Sequence, residues 1–263
     1  MAMIGPMPPR HDAPSQTRRF LLSSAAGVIV AIAPTALLRL GRAVAAEPGA
    51  ELPRRVGGIA FPDTPMAKAA AAMVRAASPE HLYNHCLRTY LFGALVAERD
   101  HTHYDQEIIF VAAAMHDLGL IERYQSKSQP FEMDGADAAM AFLDEHGVGR
   151  ARAELAWHAI ALHTSRLSAH EPLQVQLVGA GAGADVYGNG LDTLPADRVR
   201  AVLAAYPRRG FRQGFPQLLQ AYCQRKPLAA VGGWTDAYCR THAHGVAFPD
   251  IERGMDRFPY PDA

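Results

Sequence analysis

The sequence predicts an all-α helical bundle, on three observations. From Met66 onward apolar residues recur at helical spacing of three and four. No run alternates between apolar and polar long enough to make a convincing strand, and there is neither an internal repeat nor a low-complexity tract. Helix start and stop residues stand between the periodic stretches, leaving the short connections of a bundle.

The elements follow in order. An alanine-rich helix is predicted over 66–76. Ser78 is read as an N-cap, with Pro79 at the first helical position, opening a helix that runs to about Arg99. Leu82, Cys86, Tyr90 and Leu95 mark its apolar side, with His85 beside it. Asp105 caps a third helix through about His116. Residues 119–133 read as a polar loop, followed by helices over 134–146, stopped by Gly147, and 150–164. Pro172 opens another that ends near Val186. Further helices are expected at 196–205, 213–225 and 233–243.

The N-terminus is of a different kind. Arg18 and Arg19 precede an uncharged stretch from Phe20 to Leu38, and Ala43-Val44-Ala45 fits a small-residue cleavage pattern. This resembles a twin-arginine export signal, with Leu21 in the place a phenylalanine usually holds. Residues 1–46 are therefore expected to be a cleaved signal, handled by the twin-arginine machinery and delivering a periplasmic or otherwise exported protein. The alternative is a retained N-terminal membrane anchor, for which Ser23, Ser24, Gly27 and Pro34 are poor residues. No stable membrane association is expected after cleavage. Residues 47–65 are rich in Pro and Gly and read as a linker or irregular lead-in. Residues 66–263 then form the helical domain, with C-terminal helices over 193–263.

Composition narrows the function. With 49 % hydrophobic residues the chain can bury one sizeable core. Basic and acidic residues both number 26, and removing residues 1–46 takes five arginines and one aspartate, leaving a net charge of −4. Such a chain has no field to attract nucleic acid. The three cysteines, Cys86, Cys223 and Cys239, lack metal-site spacing, and an odd number leaves at least one thiol free. A Cys223–Cys239 disulfide is open to an exported chain.

The chemistry lies in "VAAAMHDLGL", residues 111–120, where an apolar helix ends in His116 and Asp117. Two strong metal-binding side chains there are costly unless something pairs with them. His116 follows Ile109, Ala112 and Ala113 on the core-facing side. Adjacent helical residues point about 100° apart, so the pair reaches one ion most easily at a helix end, which Gly119 is expected to supply. His85 is a candidate first ligand and Asp185 a candidate fourth. Leu177, Gly181 and Asp185 share a helix face, and Gly179, Gly181 and Gly183 would keep that helix thin. Imidazole and carboxylate suit a divalent metal, which lowers the pKa of water and prepares it to attack a nitrile, an amide or a phosphorus. Asp117 is also a candidate proton carrier.

His85, then His116-Asp117, then Asp185, spread over successive helices, resembles the HD-domain superfamily of metal-dependent enzymes. The stretches "NHCLRTYLFG", "AAAMHDLGL" and "KSQPFEMDGADAA" most resemble its cyanamide-hydratase-like branch, the likeness covering roughly 78–192. The resemblance implies one metal, Zn or Fe, held by His85, His116, Asp117 and Asp185. It also implies a pocket cover carrying Lys127, Phe131 and Glu132. Two-metal members carry extra histidines before the last aspartate, which brings in His158 and His163. These two stand about 140° apart around a helix, so both cannot easily face one ion. Arg88 shares a face with His85, placed to bind an anionic substrate or to brace Asp117 or Glu132. Three functions compete. The first is a hydratase or hydrolase of small nitriles, cyanamide or amides. The second is a phosphohydrolase, which needs Arg/Lys clamps such as Arg88, Lys127 and Arg166. The third is a non-catalytic binding protein.

Overall fold

The computed structural model describes residues 52–250; the expected export signal lies outside them. Nine α-helices are found among the described residues: α1 (Pro65–Ala77), α2 (Glu80–Arg99), α3 (Gln106–Met115), α4 (Phe131–Glu145), α5 (Arg150–Ala161), α6 (Leu173–Tyr187), α7 (Ala196–Ala205), α8 (Phe211–Arg225) and α9 (Asp236–His242). The all-α expectation holds. None of these helices is long and apolar enough to cross a membrane.

Three local readings are corrected. Ser78 does not cap α2. It closes α1, its N–H donating to Val74 O at 2.9 Å, and Pro79 takes the N-cap position. The residue before a proline is pushed into extended backbone, and Ser78 has φ −113° and ψ 147°. The stretch 119–133 is not one loop. It holds two single 3₁₀ turns, Leu118–Leu120 and Glu122–Tyr124, and α4 starts three residues early behind Pro130. The described part of the lead-in is not a linker either. Arg55–Val56 (β1) and Ile59–Ala60 (β2) pair as an antiparallel hairpin, and Val56, Ile59 and Phe61 are buried. Phe61 meets Tyr90 and Phe110, and Tyr90 Oη donates to Ala60 O at 2.8 Å.

The core is continuous from that hairpin through α2, α3, α5 and α6. Helix α3 is buried from Ile108 to Met115, its start fixed by the Asp105 side chain accepting from Ile108 N at 3.2 Å. The most extensive packing is between α2 and α6, and glycine makes it possible. A Cβ at Gly181 would overlap Thr89 O, and one at Gly93 would stand 2.5 Å from Leu177 O. The dense glycines of α6 are thus helical and serve close approach. That approach brings Asp185 against His85 and Arg88.

Candidate metal centre

His85 lies in the second turn of α2, while His116 and Asp117 form the turn between α3 and the Leu118–Leu120 turn. His116 keeps helical backbone (φ −57°, ψ −32°), and Asp117 leaves it (φ −102°, ψ 9°). That change lets two adjacent side chains face one point. Gly119 contributes by packing: a Cβ there would overlap Phe131 O, and one at Gly135 would stand 2.8 Å from His116 O. The start of α4 is thereby held against the turn.

His85, His116 and Asp117 converge, each offering a ligand atom within 4.8 Å of the others, and each at most 1 % exposed. Their tautomers follow from the far side of each ring. His85 Nδ1 donates to Asp185 Oδ2 at 2.7 Å, and His116 Nδ1 donates to Ala113 O at 2.8 Å. Each Nε2 is then left facing the other across 3.3 Å, with Asp117 Oδ2 at 3.4 and 3.2 Å from them. Asp117 Oδ2 is buried and lacks a hydrogen-bond partner. Three electron-pair donors around one point are stabilised by a positive charge between them. Burial pushes His85 down, yet the Asp117 and Asp185 carboxylates raise its pKa overall. The Asp117 carboxyl is raised by burial but held far below the usual range by His116 and His85. The group is capable of holding a cation, and the donor set of two imidazoles and a carboxylate fits a divalent metal.

Asp185, expected as a fourth ligand, stands behind His85 and outside the converging group. Both its oxygens are engaged. Arg88 Nε donates to Oδ1 at 2.7 Å and Nη2 to Oδ2 at 2.8 Å, while Arg208 Nη1 donates to Oδ1 at 3.0 Å. Burial raises the Asp185 carboxyl, but His85 and Arg88 hold it well below the ordinary value. Arg88 is fully buried and also donates to Tyr206 O and Pro207 O. It braces Asp185 rather than Asp117 or Glu132, and is not available to a substrate.

The two extra histidines separate. Helix α5 ends at Ala161, so His163 falls in the turn beyond it and swings inward. Its side chain is 3 % exposed, with Nε2 3.8 Å from Asp117 Oδ1. Its Nδ1 donates to Ile160 O at 2.6 Å, so Nε2 carries the free electron pair. Burial and the neighbouring His116 lower its pKa to about 4, leaving it neutral at pH 7. His158 points away, half exposed beside Glu171, and has no part in the site. Lys127 is exposed and does not line the cavity. Phe131 does line it. Glu132 sits just behind, 5 % exposed, accepting from Thr164 Oγ1 at 2.7 Å. Burial raises its pKa to about 7.

The cavity over this group measures about 190 Å³. His85, His116, Asp117 and His163 meet it on one side, Thr164 and Asn189 add polar atoms, and Phe131, Phe215, Tyr187 and Trp234 are its aromatic walls. The family model of the HD domain matches residues 82–205. Over those residues the chain is similar to the HD domain. The match takes in His85, His116, Asp117 and Asp185 but stops before α8. No curated protein matches the sequence. The walls beyond residue 205 went unread in the sequence, since Phe215 and Trp234 come from the C-terminal segments; so did Arg208, which precedes α8 and joins Asp185 behind the site. Phe211 and Phe215, four apart and stacked at 5.0 Å, were the one legible hint, being a helical apolar pair.

Proposed function

We propose that this protein is a metal-dependent hydratase or hydrolase that adds water to a small uncharged molecule of nitrile, cyanamide or amide type. The observation that carries the reading is the lining of the cavity: a His/His/Asp group meets aromatic walls, and neither lysine nor arginine lines it. A divalent ion held by His85, His116 and Asp117 supplies Lewis acidity and lowers the pKa of water. Asp185, locked to Arg88, holds the His85 ring with its Nε2 forward, as partners behind metal-ligating histidines do. His163 Nε2 accepts a hydrogen bond from a substrate N–H or a water. Glu132, with a pKa of about 7, holds or releases a proton near neutrality and faces the cavity through the Thr164 hydroxyl. Asp117, held ionised, suits ligation rather than proton transfer. We place the chain nearest the cyanamide-hydratase-like branch of the HD superfamily on this combination.

Phosphoryl transfer needs cationic clamps at the reacting group. Arg88 is committed to Asp185, and Lys127 and Arg166 are exposed and do not line the cavity, so phosphohydrolysis ranks second. For export we offer two supports: the twin-arginine-like segment, and the Cys223–Cys239 disulfide, which suits an oxidising compartment. A small-molecule substrate is the partner this reading requires.

The test is metal analysis of the purified chain followed by turnover of cyanamide, nitriles and amides against phosphate esters. We expect about one equivalent of zinc or iron, and activity on the first group that a chelator abolishes. Faster turnover of phosphate esters, or turnover that survives metal removal, would overturn the proposal. Two equivalents would bring His163 into a binuclear site.

A further inference from the structure

We propose that the cavity is a binding site for one uncharged planar ring, and that Trp234 is its specificity-determining wall. The inference rests on the reading above only for where the reacting group lies. At about 190 Å³ the cavity is too large for a substrate of three heavy atoms to fill. A cavity of about 150 Å³ takes up a benzene molecule. A single ring bearing a nitrile or amide therefore matches the space, with the polar group toward His116 and His163 and the ring toward the aromatic side.

That side is assembled from separate parts of the chain. Phe131 opens α4, Phe215 lies on α8, and Trp234 stands in the segment between α8 and α9. The Phe131 and Trp234 ring centroids are 6.4 Å apart at 61°. Aromatic groups prefer offset or edge-to-face neighbours at such spacings, so a planar ring gains from contact with both. Trp234 is 36 % exposed and Tyr187 62 %, which puts two large rings at the mouth.

Trp234 is not a loose flap. The Cys223–Cys239 disulfide closes the segment that carries it, the bridged positions being 16 apart in sequence. Inside that segment Lys226, 6 % exposed, forms a buried ion pair with Asp134, three residues beyond Phe131 on α4. Ala230 is fully buried, and Gly233 N donates to Ala230 O at 2.9 Å. The wall is thus fixed relative to Phe131 before any ligand arrives, and a preformed wall discriminates by shape at small entropic cost.

The test uses the full chain and two neutral probes, benzamide and acetamide, titrated by ligand-observed NMR. We expect benzamide to bind at least tenfold tighter. Trp234→Ala should weaken benzamide at least fivefold and leave acetamide unchanged, while Trp234→Phe restores most of the difference. Circular dichroism checks that both variants fold. Equal affinity for the two probes, or a benzamide affinity indifferent to Trp234→Ala, would overturn the proposal. Repeating the titration after metal removal separates the two readings. The preference for benzamide persists without the ion if the ring site is real, whatever becomes of turnover. Metal-dependent turnover with no ring preference overturns the ring site alone.

Discussion

Replacing Asp185 by asparagine tests the arrangement behind His85. The carboxylate accepts from four donors: Arg88 Nε and Arg208 Nη1 at Oδ1, and Arg88 Nη2 and His85 Nδ1 at Oδ2. An amide has one acceptor oxygen, so either orientation turns an NH₂ group against two of these donors. Arg88 loses a charged bond both ways, and it is 0 % exposed. Two lost charge-assisted hydrogen bonds cost roughly 3–6 kcal/mol. Breaking a buried ion pair costs about 3–5 kcal/mol, which agrees. For a domain of this size the melting temperature should fall on the order of 10 °C. If Asp185 orients His85 from behind, metal affinity should fall about 10- to 100-fold and binding should survive. Scanning calorimetry reads the first effect and chelator competition the second. Unchanged metal affinity would refute the orienting role. Complete loss of metal from a folded variant would place Asp185 among the ligands.

Asp117→Ala should abolish metal binding and turnover while the helical circular dichroism stays; a variant that keeps its metal would refute the His85/His116/Asp117 group. Glu132 has a definite pH signature. Its carboxyl titrates near 4.5 when unfolded and about 7 when folded, so between these values the folded state keeps a proton that the unfolded state has lost. Stability therefore falls as pH rises through that window, by roughly 3 kcal/mol, and Glu132→Gln should remove that slope in thermal melts. Equal slopes in the two proteins would refute the buried, proton-holding glutamate. Reducing the Cys223–Cys239 bridge, which joins positions 16 apart in sequence, should cost about 3 kcal/mol, read as a lower melting temperature in the presence of a phosphine reductant.

Much of this was legible in the sequence because it depends on local chemistry. Helical periodicity and the Asp105 cap place α3, and the adjacency of His116 and Asp117 at its end marks the metal-seeking turn. The glycines of α6 signalled a close helix contact, and the α2–α6 packing is where they act. Other features were not legible, because they depend on which distant segments meet. Nothing near Arg88 in the chain says that it will meet Asp185, 97 residues away. His163 and His158 look alike in sequence. What separates them is that α5 ends at Ala161, which turns one ring inward and leaves the other in solvent. Trp234 reads as an isolated aromatic between a glycine pair and a threonine, and becomes a cavity wall only once the disulfide and the Lys226–Asp134 pair bring its segment over α4. The sequence by itself determined the helices and the ligand types, since both are set by neighbours a few residues apart. The tertiary structure alone decided which carboxylate joins the two histidines, which braces a histidine from behind, and which distant side chains wall the cavity beside them, since those depend on long-range burial and on pairing charges away from water.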